Sequence, residues 1–125
     1  MRFISIYRPS MACAGKPPTQ EQYELMGKFM AEAIKAGVLL ATEGFGPQTD
    51  TDLKVKLANG TYSTTDGPFT EAKEVIGGFA IMQCKSREEL LEWTHRFLAL
   101  AGDGECEIHQ LSEMSPIDQL KQHQL

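Results

Sequence analysis

Two segments of the chain carry apolar residues at helical spacing, and each is bounded by signals that start and stop a helix. The first begins at Thr19, which forms a capping box with Gln22, and ends before Gly37, where a left-handed C-terminal cap favours glycine. The second begins at Ser86, which is predicted to form a capping box with Glu89, and ends at Gly102. The pattern therefore predicts two amphipathic helices.

Six other segments are rich in β-branched and aromatic residues, which predicts strands over residues 2–7, 38–45, 53–58, 61–65, 75–84 and 105–111. Asn59 and Gly60, between the third and fourth of these, form the sequence of a two-residue hairpin turn, because both positions need a positive φ. Counting the register outward from this turn pairs Leu53 with Asp66. Asp66 is therefore predicted to lie on the apolar side of the hairpin.

The order of the elements is β-α-β, then a β-hairpin, then β-α-β. This order predicts an α+β fold, a ferredoxin-like split βαβ arrangement with an inserted β-hairpin. Two helices can cover only one face of such a sheet, yet the strands carry apolar residues on both faces, as Phe3, Ile4 and Ile6 and the run Phe79, Ala80, Ile81 and Met82 show. Because a large uncovered apolar face usually meets a partner, we expect a homodimer that forms through the open sheet face.

Composition narrows the classes of protein that this fold can serve. The chain has 125 residues with 12 basic and 17 acidic side chains, so its net charge is −5, and its sequence pI is about 5.1. This length fits one domain, predicted over residues 1–114, followed by a polar C-terminal tail over 115–125 that is either a short helix or loose. The acidic balance argues against a nucleic-acid partner, and no apolar run approaches the roughly 18 residues that span a membrane.

The cysteines indicate the compartment. Cys13, Cys84 and Cys106 are an odd number without Cys-x-x-Cys spacing, which gives no support for a disulfide framework or a zinc site. The N-terminus has neither the charged region nor the cleavage site of a signal peptide. No His-x-His or Glu-x-x-His spacing indicates another metal site. We therefore expect a cytoplasmic protein without a metal or cofactor.

The most unusual stretch of the chain is a short motif around a glycine turn. It runs Asp66-Gly67-Pro68-Phe69, continues through Glu71, Lys73 and Glu74, and reaches Gly77-Gly78-Phe79. This stretch resembles the signature of the YCII-related, or DGPF-domain, family, in which Asp-Gly-Pro-Phe precedes a Glu, a Lys-Glu pair and a Gly-Gly-aromatic strand. The resemblance covers residues 1 to about 112 and implies a dimeric α+β barrel, in agreement with the order of the elements.

An Asp-His pair has been suggested as an active site for YCII-related proteins. The resemblance places the Asp of that pair at Asp66. The histidine is expected in the first helix, and residues 19–36 contain none. His95, His109 and His123 lie in the second helix, the last strand and the tail. A histidine-based acid–base pair is therefore not carried over to this chain.

Two roles are open for Asp66. On an apolar face it suits a general acid or base, and beside a glycine turn it suits a carboxylate that holds the turn through backbone N–H groups. Glu43, at the end of the second strand, is a second candidate carboxylate that would pair with Asp66 for proton transfer, and Glu71 is a third. The candidate ligand-binding residues are Gly67, Pro68, Phe69, Lys73, Gly77 and Gly78.

Structural alternatives accompany these candidates. Gly77 and Gly78 permit close backbone approach, form a β-bulge, or present amides to an anion. Phe69 lines a pocket or fills the core, and the charged run 71–74 is a solvated loop or the mouth of a cleft.

Two functions follow. The first is a dimeric protein or enzyme that binds a small polar metabolite and carries out acid–base chemistry through a carboxylate. The second is a non-catalytic regulatory or interaction module linked to transcription, because some members of the family are associated with alternative sigma factors.

Overall fold

Strands and helices follow one another in the order that the hydrophobic pattern predicts. The computed structural model describes residues 1–10, 16–46, 51–68 and 76–123. Its elements are β1 (Arg2–Pro9), α1 (Gln20–Lys35), β2 (Leu39–Gly44), β3 (Leu53–Ala58), β4 (Thr61–Asp66), β5 (Gly78–Gln83), α2 (Arg87–Ala101), β6 (Gly104–Gln110) and α3 (Pro116–His123). The described helices include none that is long and apolar enough to cross a membrane.

Four strands form one antiparallel sheet in the order β2-β5-β1-β6, with β1 and β5 at its centre. This is the strand order of a split βαβ fold, because β5 lies between β1 and β2, the two strands that α1 connects. The strands β3 and β4 form a separate two-stranded sheet. The predicted α+β, ferredoxin-like fold with an inserted hairpin is confirmed.

The ends of α1 are set by the residues that the sequence pattern indicates. The Gln22 amide donates to Thr19 Oγ1 at 3.1 Å, and the Thr19 amide donates to Gln22 Oε1 at 2.8 Å, which completes a capping box. At the other end Gly37 has φ +75°, and the amides of Gly37 and Val38 donate to the carbonyls of Ile34 and Ala33. These two bonds form a Schellman motif, which ends the helix at a glycine.

The start of α2 differs from the predicted capping box in one bond. The Glu89 amide donates to Ser86 Oγ at 3.1 Å, as expected. The Glu89 carboxylate, however, accepts from the Lys85 amide at 3.4 Å, one residue before the cap.

The polar tail forms a short helix, α3, which is one of the two conformations expected from the sequence. The Ser115 hydroxyl caps its first turn by accepting a hydrogen bond from the Asp118 amide.

The helices cover one face of the sheet, which we call the helix face. It carries Phe3, Ser5 and Tyr7 of β1, paired with Met82, Ala80 and Gly78 of β5. The core lies at the Phe3 end of this face, where the buried residues Val38, Met82, Cys84 and Leu90 form a cluster. Towards the other end the central strands present small residues, so the core does not extend along the whole sheet.

The opposite face of the sheet, here the open face, is apolar in its centre. Strand alternation places Ile4 and Ile6 of β1 there, beside Ile81 and Phe79 of β5. Phe45 follows β2, is 51% exposed, and packs its ring against Phe79 with the centroids 6.4 Å apart. In the described part of the chain no helix makes its main contacts with this face.

The hairpin β3–β4, here the arm, is exposed along its whole length. Its turn has φ +52° at Asn59 and +77° at Gly60, as the turn sequence predicts. The counted register is confirmed, since Leu53 pairs with Asp66 and Leu57 pairs with Tyr62. Apolar side chains on this side of the arm are between 55% and 74% exposed: Leu53, Val55, Leu57 and Tyr62.

The two glycines that open β5 allow two strands to approach closely. A Cβ atom on Gly78 would lie 2.6 Å from the Glu43 carbonyl oxygen, and one on Gly77 would lie 2.8 Å from the Tyr7 ring. The irregular register between β2 and β5 lies between Leu39 and Ala41. The glycine pair is therefore required for close approach, and the expected β-bulge occurs elsewhere in the sheet.

This geometry predicts opposite effects for two glycine substitutions. Gly78→Ala is expected to lower the free energy of unfolding by about 1–3 kcal/mol, because the new methyl group meets a backbone oxygen that cannot move aside. Gly27→Ala, in the interior of α1 with open space around it, is expected to raise it by about 0.5–1 kcal/mol. Urea denaturation of both variants checks this, and equal shifts in the same direction would contradict it.

Candidate functional site

A cavity of about 360 Å³ lies between the helix face of the sheet and the helices α1 and α2. The two helices pack against each other above the sheet, and α2 contacts the sheet at the core end, where Leu90 is buried with Met82. Towards the other end the central strands offer the small residues Ser5, Gly78 and Ala80. The side chains of the two helices do not fill the space above these small residues.

Aromatic rings form much of the cavity wall. Tyr7 and Phe97 meet edge to face with their centroids 5.2 Å apart, and Phe29 and Trp93 lie 5.7 Å apart across the two helices. Methionines 26, 30 and 82 supply much of the remaining apolar surface. A wall of this kind suits a flat apolar molecule.

The two helices are joined above the cavity by the Arg96 side chain. Its guanidinium group lies 5.1 Å from the Phe29 ring centroid and 4.7 Å from that of Trp93. It also forms a two-bond ion pair with the Glu32 carboxylate, at 3.2 and 2.6 Å. The hydrogen bond from Arg96 lowers the pKa of Glu32, and the same bond raises the pKa of Arg96. This contact fixes the separation of α1 and α2 at the two rings of the wall.

The polar side-chain groups of the cavity wall are hydroxyls, one thiol, the Trp93 indole N–H and, at the rim, the Glu43 carboxylate. Ser5 is 7% exposed, and its hydroxyl hydrogen-bonds to the Cys106 thiol on the neighbouring strand. Burial raises the pKa of Cys106, and the Ser5 hydrogen bond opposes this only in part. Thr94 Oγ1 donates to the Leu90 carbonyl at 2.8 Å, and Thr42 Oγ1 donates to the Phe79 carbonyl at 2.9 Å.

Three of the predicted site residues border this cavity. Gly77 and Gly78 line it, together with Glu43. The Gly77 amide donates to the Tyr7 carbonyl at 2.7 Å, so it is engaged within the sheet and does not offer a free donor to an anion. The pairing of Glu43 with Phe79 places the Glu43 side chain on the open face, so Glu43 meets the cavity at its rim.

The other described members of the predicted site lie on the arm. Asp66 ends β4 opposite Leu53 and is exposed. The Gly67 amide donates to the Asp52 carbonyl at 2.6 Å, which closes the base of the arm, and the peptide between Gly67 and Pro68 is cis. None of these residues is among those that line the cavity. The predicted residues Phe69, Glu71 and Lys73 lie outside the described residues.

A charged group on the open face was not anticipated from the sequence. Glu107 accepts a hydrogen bond from His109 Nε2 at 2.8 Å and lies 3.5 Å from an Arg8 nitrogen. Both contacts lower the pKa of Glu107, with the His109 hydrogen bond the larger cause. Across the described ranges no group of three or more His, Cys, Asp and Glu side chains is arranged to hold a metal ion.

The cavity residues that sequence reasoning missed had one signal in the pattern. Ser5 is a small polar residue inside the run Phe3 to Tyr7, and Ala80 is a small residue directly beside it in the sheet. Two small side chains on one face of adjacent central strands leave space above them. Strand alternation alone could not reveal this, because it does not say which two strands are neighbours.

Comparisons with known proteins give a family and structures that are similar to this chain. A search of curated proteins finds no match to the chain. The solved structure of 5-chloro-2-hydroxyhydroquinone dehydrochlorinase from Burkholderia phenoliruptrix AC1100, in complex with 2,5-dihydroxybenzoquinone, is 13% identical and matches 90% of this chain and 94% of that one, with a TM-score of 0.48. A family model for the YCII-related domain matches residues 1–115. The resemblance seen in the sequence is thereby confirmed, and the chain belongs to the YCII-related domain family.

Proposed function

We propose that this protein binds a small organic molecule in the cavity between the sheet and the helices. The observation that carries this proposal is the cavity itself, about 360 Å³ in a chain of 125 residues. Protein interiors are close-packed, and voids larger than a water molecule are few. A space of this size above the centre of a sheet is in the range of small-molecule pockets.

The lining changes the kind of molecule that we expect. A polar metabolite was anticipated, whereas the walls are largely aromatic and aliphatic, with a few hydroxyl groups near the sheet. An apolar body with a polar group fits this lining better than a wholly polar molecule does.

We expect the binding to take place in the cytoplasm, since the described cysteines Cys84 and Cys106 are free thiols.

Filling the cavity is expected to abolish binding without unfolding the protein. Ala80 lies on the helix face beside Ser5 and lines the cavity, so Ala80→Leu places three more carbon atoms in the empty space. Hits are first identified by a thermal-shift screen, in which a ligand at 100 times its Kd stabilises the protein by about 2.7 kcal/mol. We expect Ala80→Leu to keep or raise the Tm and to weaken each hit by about tenfold or more.

The matched control is Ala31→Leu, which makes the same change at an exposed position of α1 outside the cavity. This variant is expected to bind like the wild type. Binding that survives in Ala80→Leu would contradict the proposal. A screen in which no compound stabilises the wild type would instead favour the regulatory module, which predicts a protein partner in a pull-down.

We further propose that the protein is a homodimer that forms through the open face. The support is the apolar centre of that face, Ile4, Ile6, Phe79 and Ile81, which the described helices leave uncovered. Sheet-to-sheet contact would remove these side chains from water.

One substitution in the centre of the open face tests the dimer. Ile81→Glu places a charge in the middle of the apolar row, and we expect it to convert a dimer into a monomer in sedimentation velocity at micromolar concentration. Ile117→Glu makes the same change on the exposed side of α3 and is expected to leave the dimer intact. A wild-type protein that sediments as a monomer would contradict the proposal, and dissociation by Ile117→Glu alone would move the interface to α3.

We also propose that Asp66 is the carboxylate that transfers a proton, with Glu43 and Glu71 as further carboxylates of the same site. Asp66 is supported by its place on the apolar side of the arm, whose side chains are exposed in one chain. Contact of that side with a second protomer would take the carboxylate out of bulk water.

The test of Asp66 is Asp66→Asn in the assembled protein. For any hit from the screen that is turned over, we expect turnover to be lost while the far-UV circular dichroism stays unchanged, because an amide of the same size cannot take up the proton. Unchanged turnover would leave Asp66 with the structural role in the turn.

A further inference from the structure

Among the hydrogen-bonding groups of the cavity wall the indole N–H of Trp93 donates, whereas two threonine hydroxyls can only accept from a ligand. A hydroxyl group has one proton to donate in a hydrogen bond. Of the three described serine and threonine hydroxyls in the lining, two donate that proton to a backbone carbonyl. Thr94 Oγ1 donates to the Leu90 carbonyl at 2.8 Å, and Thr42 Oγ1 donates to the Phe79 carbonyl at 2.9 Å. What these two oxygens offer a ligand is therefore their lone pairs.

The third hydroxyl can both accept and donate. Ser5 is 7% exposed at the floor of the cavity, and its hydrogen-bond partner is the Cys106 thiol on the neighbouring strand. Since the thiol also carries a proton, either group can be the donor in this bond. In both cases the Ser5 oxygen keeps a lone pair for a ligand.

The cavity is also unsuited to an anion. The described lining residues include no lysine, arginine or histidine, and the one ionisable acid among them is Glu43 at the rim. An anion would lose its hydration on entry and would find no cation in return, which is costly. A wholly apolar molecule would cover the accepting oxygens without replacing the water that bonds to them.

We infer that the cavity takes a neutral molecule with an aromatic body and a hydrogen-bond donor, the chemistry of a hydroxylated aromatic compound. The inference rests on the proposed function, because it names the class of ligand for the same cavity. The body lies among the rings of Tyr7, Phe29, Trp93 and Phe97, and the donor meets the accepting oxygens of the cavity wall.

Three probes with the same bicyclic body separate the possible classes. At pH 7, 2-naphthol is neutral and has a donor, 2-methoxynaphthalene is neutral and only accepts, and 2-naphthoate is an anion. The chain contains reporters for their position, since the methyl groups of Met26, Met30 and Met82 line the cavity whereas Met1 and Met114 do not. Titrations followed by NMR of methyl-¹³C methionine give both the Kd and the place of binding.

We expect shifts at the three cavity methionines, with 2-naphthol binding about threefold to tenfold more tightly than 2-methoxynaphthalene, the range of one neutral hydrogen bond. The weakest of the three is expected to be 2-naphthoate. Equal or tighter binding of the ether or the anion at these methionines would overturn the inference and leave the proposed function standing. If no cavity methionine responds to any probe, the inference is wrong, and the metabolite screen with Ala80→Leu decides separately on the proposed function.

Removing an accepting oxygen tests the assignment to particular residues. Thr94→Val is expected to reduce the preference for 2-naphthol over 2-methoxynaphthalene towards equality. Because Thr94 is buried, Thr42→Val provides a second variant at an exposed position of the cavity. Thr64→Val, on the arm, is the matched control and is expected to keep the full preference. A preference that is unchanged in both cavity variants would show that these oxygens do not select the ligand.

Discussion

The contact between the two helices above the sheet is the constraint on which the rest of the structure depends. α1 and α2 pack against each other, and α2 meets the sheet at the core end, where Leu90 is buried with Met82. Arg96 holds them together, since it lies against the rings of Phe29 and Trp93 and forms an ion pair with Glu32. With small residues on the central strands below, this arrangement leaves a cavity instead of a continuous core.

The division of the helix face into a core end and a cavity end places the candidate site. At one end Val38, Met82, Cys84 and Leu90 are buried together, which supplies packing that does not depend on a ligand. At the other end the close approach of β5 to β2 needs Gly78, because a side chain there would meet the Glu43 carbonyl. The family signature thus carries a residue that shapes the sheet at the rim of the cavity.

The remaining part of the signature lies on a different surface. Asp66 and Gly67 are at the base of the exposed arm, where the Gly67 amide donates a hydrogen bond to the Asp52 carbonyl across the hairpin. The cavity is lined by residues outside the Asp-Gly-Pro turn. A binding role for the cavity and a chemical role for Asp66 are therefore separate proposals, and each has its own variant and readout.

Most of the fold could be predicted from the sequence because its determinants are local. Capping boxes, a glycine that ends a helix and an Asn-Gly turn act over a few residues, and the two-residue turn fixes the pairing of Leu53 with Asp66 by counting alone. The family could be predicted as well, because its signature is a continuous stretch of chain. Two local features could not be predicted: whether the tail is helical, and which backbone amide donates to the Glu89 carboxylate at the start of α2. In each case the two alternatives differ little in free energy.

What only the tertiary structure decided is the site. Ser5 and Ala80 become neighbours because β1 pairs with β5, and Phe29 meets Trp93 because two helices far apart in sequence lie side by side. The sequence by itself determined the elements, their order, the hairpin register and the apolar character of both sheet faces. It could not determine the cavity, because an empty volume is a property of distances between elements, and those distances are set by which side chains meet after folding.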